Sequence, residues 1–265
     1  MYRIFDTETT GNTNQDVIQI SSIGFDDLNL DLKTKPLEPI LPIGTVTHGV
    51  TQEEADTYPD SNIQYIKFLQ YFQETPKEYV WMAHNIQFDL DAIQLWLKRH
   101  TASVFEPELV LDTIKLARKV IPEAEIGSFK LDAVFYYLFP KRLKELQDRR
   151  QSHDALEDCR ITEDIVERLL YLLEERKIFT KYQGDFLSLD GLKAIAQWLQ
   201  EPVFLDVWPF GKKFPVKGSP LVLGRETNWF MKQDWKDNWP DVVHTIGILE
   251  QQEKNVDAKY SSVNI

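Results

Sequence analysis

A single cysteine, Cys159, stands among 265 residues, which excludes a disulfide framework and any zinc site built on several thiolates. Positive charge is also scarce. Lys and Arg total 30 against 42 Asp and Glu, for a net charge of -12, so the broad basic surface that usually marks a nucleic-acid binder is missing. No apolar run reaches the roughly 18 residues that suggest a membrane-crossing helix. Strand-like sequence begins at Tyr2, so no leader is expected, and the lone cysteine suits a reducing, cytoplasmic compartment. What the chain does have is apolar mass. Hydrophobic residues make up 43% and aromatics 12%, enough for a packed core and too much for a disordered chain.

Organisation follows from periodicity. Residues 2–5 read as a strand ending in a polar turn over 6–11, and further strands are expected at 17–25 and 28–33. The prolines at 36, 39 and 42 predict a loop. Ile63, Ile66, Leu69 and Phe72, with Asp60 and Ser61 before them, predict a capped helix. Strands at 78–83 and 109–111 then alternate with helices at 88–100, 113–120, 131–139 and 155–178. The pattern predicts an α/β fold, a mixed β-sheet flanked by helices, over residues 1–183. A linker helix (184–204), a small C-terminal module (205–250) and a flexible polar tail (251–265) are expected to follow. Five of the seven tryptophans lie beyond residue 197, and such residues most often form a small module's own core.

Three acidic clusters carry the chemistry. Asp6 and Glu8 are two apart on a strand, so both point to one side, and paired carboxylates suit hard divalent cations. Asp89 closes the run His84-Asn85-Ile86-Gln87-Phe88-Asp89. Asp158 closes His153-Asp154-Ala155-Leu156-Glu157-Asp158. On a regular helix His153 and Asp158 would not share a face. Set just before the helix, His153 could lean toward a site lined by Asp158. Asp154 is expected to point outward, and Cys159 to pack in the core.

Phe-Asp-Thr-Glu-Thr-Thr-Gly (5–11), His-Asn-x-x-Phe-Asp (84–89) and His-x-x-x-x-Asp (153–158) together resemble the three motifs of the DnaQ-like 3′→5′ exonucleases, DEDDh branch, in order and spacing. The resemblance implies a ribonuclease H-like fold. It implies that Asp6, Glu8, Asp89 and Asp158 bind two divalent ions, Mg²⁺ or Mn²⁺, with Asp6 shared, and that His153 is the general base. It further implies hydrolysis of the terminal phosphodiester of DNA 3′ ends, most readily single-stranded, releasing nucleoside 5′-monophosphates in repair or processing. Thr9, Thr10, Gly11, His48 and Asn85 are the expected neighbours of the terminal nucleotide, although His84 and Asn85 are expected to orient their loop more than to do chemistry. The basic group Lys141, Arg142, Lys144, Arg149 and Arg150 is expected to meet phosphates. RNA trimming or proofreading with the same site is an alternative. An adaptor that binds a protein partner through the C-terminal module is another. No membrane partner is expected.

Overall fold

The computed structural model describes residues 1–11, 16–26, 28–150, 154–201, 215, 219–233, 236 and 240–261, with backbone only at 149, 150, 240 and 255–261. By internal contacts the chain divides into two compact units, Met1–Leu199 and Gln200–Ile265.

The first unit is built on a five-stranded sheet. Its strands are β1 (Tyr2–Thr9), β2 (Val17–Gly24), β3 (Leu30–Lys33), β4 (Val80–Ala83) and β5 (Leu109–Asp112), in the spatial order β3-β2-β1-β4-β5. β1 runs antiparallel to β2 and parallel to β4, while β2–β3 is antiparallel and β4–β5 parallel. The sheet is therefore mixed, and it is flanked by helices as the alternating elements predict. The helices are α1 (Pro42–His48), α2 (Gln52–Ala55), α3 (Ser61–Glu74), α4 (Ile86–His100), α5 (Thr113–Val120), α6 (Glu123–Ile126), α7 (Leu131–Leu138), α8 (Leu143–Arg150), α9 (Ala155–Glu175) and α10 (Leu189–Trp198).

Strand alternation sorts the core into two layers. Tyr2 and Ile4 of β1, Met82 of β4 and Leu111 of β5 pack with the apolar stripe Ile161, Ile165, Leu169 and Leu172 of α9. Phe5 of β1 and Trp81 of β4 face the other way, toward Phe68 and Tyr71 of α3 and Ile93, Trp96 and Leu97 of α4. Trp96 is fully buried, and its indole N–H donates to Ser61 Oγ at 2.7 Å, so its burial leaves no donor unmatched.

Two local readings need correction and a third holds. β1 does not stop at Phe5 but continues through the acidic motif to Thr9, because Glu8 pairs with Gln19 of β2 and the threonines favour extended backbone. The proline-rich segment is not all loop: Pro42 opens α1, since a proline's missing N–H costs nothing at a first helical position. Asp60 does cap α3, accepting from Asn62 N.

The second unit holds α11 (Arg225–Phe230) and α12 (Pro240–Ser261) around a small core of Leu221, Phe230, Val242 and Ile246, with Trp229 packed against it. α12 runs on through the polar stretch 251–261, which lacks Gly and Pro and is rich in helix formers. Trp208, Trp235 and Trp239 lie outside the described residues.

Candidate active site

The two carboxylates of β1 extend an apolar face into a polar one. Tyr2, Ile4, Asp6 and Glu8 alternate along the strand, so Asp6 and Glu8 project toward α9 beyond the last core residue. α9 begins at Ala155 with Asp154 as its N-cap, which puts Asp158 in its first turn. Carboxylate oxygens of Asp6, Glu8 and Asp158 all lie within 4.8 Å of one another. Three like charges at that spacing repel, and an all-oxygen donor set answers that repulsion best by holding a hard divalent cation. The donors therefore fit Mg²⁺ or Mn²⁺. Cys159, next to Asp158, is fully buried, and burial together with Asp6, Asp158 and Asp89 pushes its thiol far above its ordinary pKa.

Asp89 lies outside that group of three and reaches β1 by another route. β4 pairs with β1 only as far as Ile4, so beyond that point β1 has no strand neighbour on this side. Asp89, in the first turn of α4, takes the vacant place. Its Oδ1 accepts from Thr7 N at 2.9 Å and from Thr7 Oγ1 at 2.7 Å. Burial raises its pKa to about 7, opposed by the two Thr7 hydrogen bonds. Nothing in the sequence singled out Thr7, which sits between the two recognised acids.

Asn85 caps α4 in the left-handed conformation, with φ 78°, a setting that asparagine tolerates better than most residues. Beside it His84 is engaged at both nitrogens. Nε2 lies 2.8 Å from the carbonyl of Phe129, which can only accept, so Nε2 carries a proton, and Nδ1 lies 2.8 Å from Thr113 Oγ1. His84 thus anchors the turn that presents Asp89.

Thr9, Thr10 and Gly11 run directly onto α1. Leu41 N donates to Thr10 O at 2.9 Å. A Cβ at Gly44 would come within 3.1 Å of both Thr10 O and His48 Nε2, and one at Gly11 within 3.3 Å of Gly44 N. The buried His48 ring, whose Nδ1 accepts from Val50 N at 3.1 Å, therefore stands against the turn that leaves the acidic strand. Residues far apart in the chain form one wall.

The basic group is less uniform. Lys141 and Lys144 are exposed, but the guanidinium of Arg142 pairs with Glu145 at 2.7 Å and Asp164 at 3.0 Å and lies over the Phe135 and Phe139 rings. These carboxylates raise its pKa. The side chains of Arg149 and Arg150, and all of His153, lie outside the described residues.

Asp154 does not point outward. Its Oδ1 accepts from Leu156 N at 2.9 Å and from Gln19 Nε2 at 3.1 Å, and Lys33 Nζ approaches Oδ2 at 4.0 Å. Gln19 also donates to Asp31 at 2.9 Å and accepts from Ala155 N at 3.4 Å, so one amide holds the start of α9 on the sheet. Gln19 went unnoticed in the sequence. Its signal is the polar pair Gln19 and Ser21 at strand spacing between buried isoleucines.

A family model of the RNase T type, described as exonuclease, matches residues 4–166. DNA polymerase III of the PolC type from Streptococcus thermophilus is 32% identical over 129 residues, 46% of this chain, and the chain spans only 8% of the length of that relative. Among solved structures, Exonuclease I of E. coli in complex with a dT13 oligonucleotide superposes with a TM-score of 0.50 at 17% identity, covering 66% of this chain and 42% of that one. Exonuclease X in complex with 5′ overhanging duplex DNA covers 74% of this chain and 99% of its own at 20% identity, with a TM-score of 0.47. With well over half its length inside the matched domain, and with the acidic motifs of that domain in place, the chain belongs to the RNase T-type, DnaQ-like family of exonucleases.

Proposed function

We propose that the chain is a divalent-metal-dependent 3′→5′ exonuclease that removes nucleoside 5′-monophosphates from DNA 3′ ends. The observation that carries this reading is the convergence of Asp6, Glu8 and Asp158 within 4.8 Å at the end of β1, with Asp89 hydrogen-bonded to Thr7, the residue between the two acids of that strand.

Asp6, Glu8 and Asp158 would hold the cation, Mg²⁺ or Mn²⁺, and Asp6 would be shared with a second ion beside Asp89. Bound there, divalent cations supply positive charge against the phosphate and make water acidic enough to react near neutral pH. His153 removes the proton from the attacking water, a role that an unperturbed imidazole pKa of roughly 6.5 suits. The water oxygen bonds to phosphorus, and the 3′ oxygen of the penultimate nucleotide leaves. Thr9, Thr10, Gly11 and His48 form the wall that receives the terminal nucleotide, while Asn85 holds the turn that presents Asp89. Lys141, Lys144, Arg149 and Arg150 draw in the phosphates behind it, whereas Arg142 is engaged by Glu145 and Asp164. DNA, as a single strand, is the substrate we favour because the Exonuclease I structure similar in fold holds a dT13 oligonucleotide. Residues 1–183 are assigned the catalytic role, and 205–250 an accessory one. The one thiol, fully buried, suits a reducing cytoplasmic setting.

Degradation of a 3′-labelled single strand in Mg²⁺ tests the proposal. Asp6→Ala and His153→Ala should each abolish it, and activity of the Asp6→Ala protein in excess chelator would overturn the reading.

A further inference from the structure

Asp16 is a fully buried carboxylate on which three chain segments meet. Its Oδ1 accepts from Val17 N at 3.2 Å, and its Oδ2 from Leu37 N at 2.6 Å. Arg99 Nη1 stands 3.3 Å from the same Oδ2 and 3.7 Å from Glu38 Oε1. The backbone of Asp16 is tied to Thr10 in both directions: Asp16 N donates to Thr10 Oγ1 at 2.9 Å, and Thr10 N donates to Asp16 O at 2.9 Å. Thr10 O in turn accepts from Leu41 N, the residue that caps α1. Asp16 thus connects the exit of β1 through its backbone, and the segment leading into α1 and the last turn of α4 through its carboxylate.

A buried carboxylate needs a counter-charge as well as hydrogen bonds, because its desolvation is otherwise uncompensated. Arg99 supplies it. At 1.5 Å of rise per residue Arg99 lies about 15 Å along α4 from Asp89. One helix therefore holds β1 at Thr7 through Asp89, and the turn just after it at Thr10 through the pair of Arg99 and Asp16. The first grip sets the acidic cluster. The second sets the wall made by Thr10, Gly11, Gly44 and His48.

We propose that Asp16 and Arg99 are a positioning pair that fixes this wall against the 3′-terminal nucleotide. Neither touches substrate, and both act through Thr10 and Leu41. The inference rests on the function proposed above and adds two residues to it. Loss of the pair loosens the receiving wall and leaves the metal ligands in place, so it weakens substrate binding rather than the chemical step.

The test compares Asp16→Asn, Arg99→Ala and Arg99→Lys in the full chain, using a 3′-labelled DNA oligonucleotide in Mg²⁺, Mn²⁺ titration and thermal denaturation. An asparagine turns an amide N–H₂ toward one of the two backbone donors that Asp16 now accepts, so its effect should be the largest. Losing a buried charged hydrogen-bond partner predicts a KM raised on the order of tenfold in Asp16→Asn and Arg99→Ala. kcat should stay within about twofold and Mn²⁺ affinity should be unchanged, with Arg99→Lys recovering most of the loss. A native KM in Arg99→Ala, whether or not its melting temperature falls, overturns the proposal; so does a fall in kcat with Mn²⁺ affinity at constant KM. Should Asp16→Asn fail to fold, the two Arg99 variants decide. Native protein that fails to hydrolyse 3′ ends would instead remove the function proposed above, which separates the two failures.

Discussion

Replacing Thr7 by valine removes one hydroxyl and little else. Valine keeps the β-branch and the volume, so β1 and its pairing with β2 should persist. The lost group is the donor 2.7 Å from Asp89 Oδ1. The Thr7 backbone N–H, at 2.9 Å, survives any substitution, so the damage is bounded to one of two donors on a buried carboxylate. A hydrogen bond to a charged group contributes about 1.5–3 kcal/mol, roughly ten- to a hundredfold in an equilibrium or rate. Both Thr7 bonds hold the pKa of Asp89 down against burial, which has already raised it to about 7. Losing one therefore moves ionisation to higher pH. In chelator the Asp89 carboxyl of Thr7→Val should titrate above the native one, and initial rates on a 3′-labelled strand in Mg²⁺ should fall by about tenfold near pH 7. Thr7→Ser, which keeps a hydroxyl, should restore most of the rate. A Thr7→Val protein within twofold of native at every pH would refute the assignment of Asp89 to the working site.

Gln19→Ala should loosen the start of α9, which carries Asp158, lowering kcat by about tenfold and weakening Mn²⁺ binding less than Asp6→Ala does, because Asp6 and Glu8 stay on their strand; loss of metal binding equal to that of Asp6→Ala would contradict this. In chelator, Asp89→Asn should be more stable than the native protein near pH 7. The native carboxyl has its pKa raised by burial from 3.8 to about 7, so the folded state binds the extra proton between those values and loses stability as pH rises through that window. The gap in melting temperature should thus widen from pH 4 to 7 and level off above, and a gap independent of pH would count against it.

The acids that converge were legible because strand spacing is a local rule. Asp6 and Glu8 share a face wherever residues 2–9 are extended, and Asp158 lies in the first turn of a helix that its own periodicity announces. Thr7 as the partner of Asp89 was not legible, because it depends on β4 ending earlier than β1, a fact of two distant segments. His48 beside Thr10, and Gln19 beside Asp154, are likewise tertiary contacts across 38 and 135 residues. The outward placement expected of Asp154 failed for a simpler reason. Its caps-and-neighbours role is what aspartate does at a helix start, and the cap turns the carboxylate back onto the sheet. The helix opened by Pro42 was hidden by reading proline as punctuation alone.

The alternation along β1 has one more consequence. The same two-residue period that sends Tyr2 and Ile4 into one core layer sends Asp6 and Glu8 toward α9, while Phe5 enters the opposite layer and Thr7 meets Asp89. A slip of one residue against β2 would expose the core side chains and carry both acids to the wrong face at once. Fidelity of folding and possession of the site are therefore a single property of this strand. A chain that has packed its sheet has, by that act alone, aligned the two ligands that β1 supplies, and one that has mispaired it is both unstable and inert.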